Sequence, residues 1–247
     1  MPVRSYPLAV IMIIIAILFL ANFLRAFTGF GDAVIAMPLL MLCLPGQVAI
    51  PLVALTGGTI GIIMMIRGYK DIDFKATWRL VLASFVGVPI GIYYLKTFDD
   101  QLIKIFLGGT LLLLTASSFL RPGVLRLRTD KSSYLFGFLS GALGGAYNTN
   151  GPPIVVYGTL RGWEQKDFHT TLQGYFFLNG FSILLGHGAS GLWTKEVFIL
   201  YGASLPAVVL ALVCGGKIAR NVSGRLFHQI INVFVGVIGV ILLWQNI

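Results

Sequence analysis

The chain has 247 residues, of which 57% are hydrophobic and 11% charged, and its mean hydropathy is +0.87. Eighteen Lys and Arg with nine Asp and Glu are too few to clothe a water-soluble domain of this size, so lipid must be the main solvent. The net charge of +9 sits in short connections flanking apolar runs, where it orients a membrane chain, and no basic patch interleaved with aromatics points to nucleic acid.

Taken in chain order, residues 8–45 read as an apolar arm, a break at Arg25-Ala26-Phe27-Thr28-Gly29-Phe30-Gly31-Asp32, and a second arm from Ala33 to Leu44 that contains Pro38. This region is either a hairpin or two complete crossings. No small-residue cleavage site follows the first arm, so it reads as a membrane segment and not as a cleaved leader. Windows long enough to cross hydrocarbon, about 20 residues each, follow at 48–66, 78–95 and 102–120. A basic stretch at 121–133 is expected to be a cytoplasmic linker. Residues 134–161 repeat the broken pattern: an apolar arm ends at Tyr147, Asn148-Thr149-Asn150-Gly151-Pro152-Pro153 intervenes, and a second arm begins at Ile154. The residue before a proline avoids helical angles and proline cannot donate, so two half-helices meeting at a break are predicted. Spanning windows at 169–186, 196–213 and 227–244 complete the chain. Cys43 and Cys214 lie far apart in apolar stretches without a metal or redox spacing and read as small apolar fillers.

The order of elements repeats after about 120 residues, matching Gly31 with Gly151 and Lys75 with Lys195. The expected organisation is a first transmembrane repeat at 1–120, the linker at 121–133, and a second repeat at 134–247. Each repeat would be a broken or re-entrant helix pair followed by three spanning helices, in an all-α polytopic fold. If each broken pair starts and ends on one side, the repeats are inverted. Arg67, Lys70, Lys75, Arg79, the cluster at 121–131, Arg161, Lys166, Lys217, Arg220 and Arg225 then share one side, with only Arg4, Lys96, Lys104 and Lys195 opposite. That segregation satisfies the positive-inside rule and puts both termini outside.

Candidate chemistry follows from the breaks. A half-helix N-terminus presents unpaired N–H groups and partial positive charge, which favour an anion. Thr28, Gly29 and Gly31 at the first break, and Asn148, Thr149, Asn150 and Gly151 at the second, are therefore expected to bind substrate. Arg25, a cation within apolar sequence, is expected to pair with a bound anion, with snorkelling or an ion pair to Asp32 as the structural alternative. Asp32, the one acid inside an apolar stretch, is the proton-coupling candidate or a cap for the helix after it. Gln173 and Asn179 on the 169–186 helix either line the pathway or satisfy other polar groups across helices. His169, His187 and His228 lack a second ligand at helical spacing, so no metal site and no cofactor are expected. Gly188-Ala189-Ser190-Gly191 copies a string of intramembrane serine proteases, but Trp193 to Glu196 follow where a long apolar helix would be needed.

Thr28-Gly29-Phe30-Gly31 followed by Pro38-Leu39-Leu40, Gly87-x-Pro89-x-Gly91, Gly137-x-x-Ser140-Gly141-x-x-Gly144-Gly145, and Asn150-Gly151-Pro152-Pro153 occur in that order between residues 28 and 153. In this the sequence resembles the sulfite exporter TauE/SafE family, also called the 4-toluene sulfonate uptake permease family. The resemblance implies a multi-pass inner-membrane permease, not an enzyme, carrying sulfite, a sulfonate, sulfoacetate or a related organic acid. The expected mechanism is secondary transport by alternating access, with the anion near the midplane between the two breaks. A passive anion channel is the alternative, and a serine protease using Ser190 a distant third. Implied partners are a small anionic substrate, protons, the lipid bilayer and, as an option, a second copy of the chain in a homodimer; nucleic acid is not among them.

Overall fold

The computed structural model describes residues 6–28, 31–68, 74–118, 127, 129, 131–163, 165–218, 236–237 and 239–246. All regular structure among them is helical: α1 Leu8–Thr28, α2 Asp32–Leu40, α3 Gly46–Gly68, α4 Phe74–Thr97, α5 Asp100–Ser118, α6 Ser132–Tyr147, α7 Gly151–Arg161, α8 Gln165–Ala189 and α9 Lys195–Ile218, with a last helix, α10, at 239–246. Leu8–Arg25, Gly46–Ile63, Thr77–Thr97 and Lys195–Gly216 are long and apolar enough to cross a membrane. Leu82, Phe85, Val86 and Ile90 on α4 and Phe198, Ile199, Leu210 and Val213 on α9 are exposed, as lipid-facing side chains are. Trp78, Tyr93, Trp193 and Trp244 are exposed near helix ends, where amphipathic rings settle at the headgroups.

The chain forms two compact units, each assembled from both sequence halves. Unit 1 comprises Met1–Thr56, Phe98–Thr115 and Gly191–Ile247; unit 2 comprises Gly57–Thr97 and Ala116–Ser190.

In unit 2 the backbone itself forms the core. Gly137, Gly141 and Gly145 recur every fourth residue on one face of α6, and a Cβ on them would come within 2.3, 2.4 and 2.3 Å of the carbonyl oxygens of Leu80, Ser84 and Val88 on α4. Gly87 and Gly91 of α4 return the contact, at 2.2 and 2.1 Å from the carbonyls of Phe138 and Ala142. Only glycine permits so close an approach, and in lipid such backbone proximity is a main source of helix association. The contacts advance in the same sense along both helices, so α4 and α6 run parallel. Helix α8 is parallel to them as well, since Tyr175 meets Ser140 and Asn179 lies beside Gly144. At their far ends Lys96 Nζ donates to the Ser190 carbonyl at 2.8 Å.

Helix α7 turns back. The Leu127 N–H, ahead of α6, donates to the Leu160 carbonyl at the end of α7 at 2.9 Å, and Arg161 Nη1 donates to the Leu127 carbonyl at 3.1 Å. The pair therefore enters and leaves on one side, as expected for a re-entrant region. With 16 and 11 residues, α6 and α7 are about 24 and 16 Å long, each short of the roughly 30 Å hydrocarbon core.

In unit 1, α1 and α9 pack side by side, and Tyr6 donates its hydroxyl to Glu196 where both helices begin. The Gly46 N–H donates to Asp100 Oδ1 at 2.7 Å, joining the starts of α3 and α5. Helices α5 and α10 cross antiparallel at Gly108 and Gly239, where a Cβ on either would lie 3.0 or 3.1 Å from the other's carbonyl, and Gln101 Nε2 donates to the Asn246 carbonyl at 2.7 Å.

The first broken region is less symmetric than its sequence suggests. Helix α1, with 21 residues, is about 32 Å long and reaches spanning length, whereas α2, with nine, is about 14 Å and cannot complete a second crossing. The last expected span is helical over 239–246; its residues 227–235 lie outside the described residues.

Candidate functional site

The break in unit 2 starts with Asn148, the only non-glycine residue with positive φ among the described residues, at 56°. Asparagine tolerates this left-handed conformation. There the N–H groups of Asn148 and Thr149 fold back onto the carbonyls of Gly144 and Leu143, at 2.8 and 3.4 Å, which ends α6. Helix α7 then opens with Gly151-Pro152-Pro153, so two of its first four residues have no N–H to offer. Its N-terminus is thus poorer in backbone donors than the sequence argument supposed, and side chains must supply the difference.

Those side chains come from α6 and α8. Ser140 Oγ donates to the Asn150 carbonyl, and Tyr175 OH donates to Ser140 Oγ at 2.7 Å, which ties the crossover to both helices. A Cβ on Gly144 would stand 3.0 Å from Asn150 Cβ and 3.5 Å from Asn179 Nδ2. The glycine therefore lets the Asn179 amide approach the break. Asn179 is fully buried and Thr149 is 1% exposed. Neither amide atom of Asn179, nor Thr149 Oγ1, has a hydrogen-bond partner among the described residues. Burying such groups unpaired costs about 1–3 kcal/mol each, a cost that a bound polar ligand removes. His187, also fully buried, places Nε2 at 3.0 Å from the Gly145 carbonyl, while Nδ1 has no partner among the described residues.

Of the residues predicted for this site, Asn150 and Asn179 both approach Gly144, and Thr149, next to Asn150 in the chain, is buried; Asn148 and Gly151 shape the backbone around them. Gln173 is half-buried and lies about 120° around α8 from Asn179. Ser140, Tyr175, Gly144 and His187 complete the arrangement. Their signal in the sequence was the spacing of Tyr175 and Asn179, one turn apart, beside the glycine repeat of α6.

The break in unit 1 has a different character. Arg25 Nη1 lies 2.8 Å from Asp32 Oδ2, with both side chains about one-tenth exposed, at 11% and 10%. Asp32 does not cap α2: it is the first helical residue, Gly31 occupies the cap position with φ 95°, and no side-chain cap bond forms. The carboxylate is instead committed to Arg25, the ion pair foreseen as an alternative. Asn22, one turn before Arg25, donates Nδ2 to the Leu18 carbonyl at 2.7 Å, and its Oδ1 has no partner among the described residues. Thr28 ends α1; its side chain, and Gly29 as a whole, lie outside the described residues, as do the side chains of His169 and His228.

The protease-like string gains no support from this geometry. His187 directs Nε2 to Gly145, Ser190 offers its carbonyl to Lys96, and no hydrogen bond links the two side chains among the described residues.

Comparison with known proteins agrees with this architecture. The chain is 22% identical over 213 residues to a probable sulfite/organosulfonate exporter TauE of Cupriavidus necator, covering 82% of this chain and 81% of that one. No solved structure matches it. The family description "Sulfite exporter TauE/SafE" matches residues 14–242, nearly the whole helical assembly, and the chain belongs to that family of multi-pass membrane transporters.

Proposed function

We propose that the protein is a secondary transporter that carries sulfite, an organosulfonate or a related small organic acid, with the anion hydrogen-bonded at the α6–α7 break of unit 2. The observation that carries this reading is the fully buried amide of Asn179, without a partner among the described residues, which lies with Asn150 about Gly144 at the break. Asn179 Nδ2 and the Thr149 hydroxyl are donors suited to sulfo or carboxylate oxygens, and hydrogen bonds to an ionised acceptor are about twice as strong as neutral ones. Because Asn179 Oδ1 also lacks a partner among the described residues, the best ligand supplies a donor too, as a hydroxy- or amino-substituted sulfonate does. Purified protein in liposomes is expected to move sulfite and small sulfonates, and to concentrate them against an imposed pH gradient. Absence of flux would sink the reading; flux indifferent to the gradient would make the protein a passive channel.

The two sequence repeats, 1–120 and 134–247, are proposed to face opposite ways in the membrane. Support comes from unit 2, where α4, α6 and α8 all begin on the side to which α7 returns, and where Arg79, Lys131 and Arg161 mark those ends as cytoplasmic under the positive-inside rule. In a background lacking Cys43 and Cys214, single cysteines placed in 121–131 and at the C-terminus are expected to react with membrane-impermeant reagent from opposite faces. Labelling of both from one face would rule the inversion out.

A further inference from the structure

We propose that His187 takes up the proton that accompanies each substrate anion, its Nδ1 passing from bare acceptor to N–H donor as the anion binds at the break of unit 2. This rests on the transporter reading above and assigns its coupling group. The buried side-chain polar atoms of unit 2 without a partner among the described residues are both amide atoms of Asn179, Thr149 Oγ1 and His187 Nδ1, and their residues gather about one helix end. Asn179 lies at Gly144, His187 bonds the carbonyl of Gly145, and Thr149 is the second residue after α6. A carbonyl can only accept, so Nε2 carries the ring proton, and in the neutral ring Nδ1 presents a lone pair.

An anion at this break needs a compensating charge. No buried side chain described in unit 2 carries a permanent charge, and His187 is the one among them that can become a cation. A monoanion alone would be a net charge in a low dielectric, which is costly. Burial likewise disfavours an imidazolium that has no anion beside it. Proton and anion are therefore costly apart and inexpensive together. The helix ends assist, since Gly145 belongs to the negative end of α6 while the anion sits at the positive start of α7. The proton comes from solution, forms the Nδ1–H bond on binding and leaves with the anion on release. The net charge of the unit is unchanged, and one proton moves with each anion.

The groups around the ring leave this proton to His187. On α4, Lys96 is exposed and donates to the Ser190 carbonyl, three residues past His187; as a like charge it opposes the imidazolium further until an anion arrives. Tyr93 is exposed, and Tyr94 meets Tyr147 of α6 edge-on. Arg79 on α4, Tyr134 on α6, and Tyr157 and Arg161 on α7 belong to the opposite helix ends. Tyr175, twelve residues earlier on α8, donates to Ser140. Helix α3 meets α8 at Gly58 and Leu184. Its one charged residue, Arg67, has its side chain outside the described residues, as have Lys75 of α4 and Lys166, Asp167 and His169 of α8.

The test measures binding of hydroxyethanesulfonate, ionised at every pH used, to the tag-free full chain between pH 6 and 8. Calorimetry in buffers of different ionisation enthalpy is expected to count about one proton taken up per anion. Wild-type affinity should fall as pH rises, by about tenfold per pH unit where the ring is neutral before binding. His187→Gln, whose amide can still donate to Gly145, is expected to bind without proton uptake, with flat affinity, roughly 5- to 150-fold more weakly than wild type at pH 6. It should also lose accumulation against a pH gradient in liposomes. A merely structural role for His187 would weaken binding alike at every pH and leave the proton count at one. Wild-type binding without proton uptake, or undiminished uptake by folded His187→Gln, would overturn the inference while leaving the transporter reading intact. If His187→Gln does not fold, ¹⁵N-histidine spectra of the wild type decide, with the three rings assigned through His169→Gln and His228→Gln. Adding the anion at pH 7 is expected to convert the His187 ring from the neutral Nε2–H form to the imidazolium, and a ring that stays neutral overturns the inference. If wild type binds neither hydroxyethanesulfonate nor sulfite, the transporter reading fails and this inference with it.

Discussion

Asn179→Leu is expected to weaken transport strongly and yet yield a protein that melts higher than wild type. The two effects have one cause. Leucine has as many side-chain heavy atoms as asparagine in the same branched arrangement, and it removes two polar atoms that have no partner among the described residues. Relief of that desolvation is worth about 1–3 kcal/mol. In a chain of this length 1 kcal/mol moves the melting temperature by about 2–4 °C, so a gain of a few degrees is within reach of a thermal scan. The same change deletes a hydrogen bond to an ionised ligand, worth about 1.5–3 kcal/mol, which is roughly a 10- to 100-fold loss of affinity. A side chain that merely held α8 to α6 would behave in the opposite way: its loss would lower the melting temperature and leave anion binding in the surviving folded protein unchanged. Measuring stabilisation by added sulfite or sulfonate in both proteins separates these outcomes, because a ligand raises the melting temperature only where it binds.

How much of this was legible in the sequence differs between the two breaks. Asn148 to Pro153 announced an interruption on covalent grounds alone, since prolines cannot donate and residues before them avoid helical angles, and the structure has that interruption with its ends on one side. The same prolines also strip α7 of backbone donors, a consequence that matters only once the direction of α7 is known. At the first break the glycines marked the place, but Asp32 could equally have capped α2 or paired with Arg25. Seven residues separate the two, and their meeting depends on how α2 turns after Gly31. Asn179 and Thr149 could be recognised as polar residues in apolar surroundings, whereas their missing partners are a property of packing. Composition and charge placement carried the membrane assignment, because lipid exposure acts on every residue of a span and so leaves a signal that single contacts do not.

The glycines of α6 make the most severe prediction about stability. Gly141→Ala places a methyl group 2.4 Å from the Ser84 carbonyl oxygen and 2.6 Å from its Cα, and backbone cannot swing aside as a side-chain tip can. Relief requires the two helices to separate, which would also open the contacts of Gly137 and Gly145 one turn to either side and loosen Gly87 and Gly91 of α4. Overpacking of a well-filled interior typically costs 1–3 kcal/mol, and a clash with backbone falls at about the top of that range. A melting temperature lower by about 6–12 °C follows. Gly180→Ala on α8 is the matched control: a Cβ there meets nothing within 4 Å, and alanine is the better helix former by about 1 kcal/mol, so it should be neutral or stabilising. The difference between the two variants isolates steric closeness from the general preference of helices for alanine. Transport should fall with Gly141→Ala even in the folded fraction, since Ser140, adjacent to the strained residue, holds the Asn150 carbonyl at the break and moves with its helix. If Gly141→Ala melts like wild type, α4 and α6 are further apart than the structure places them, and the account of unit 2 as a backbone-packed core falls.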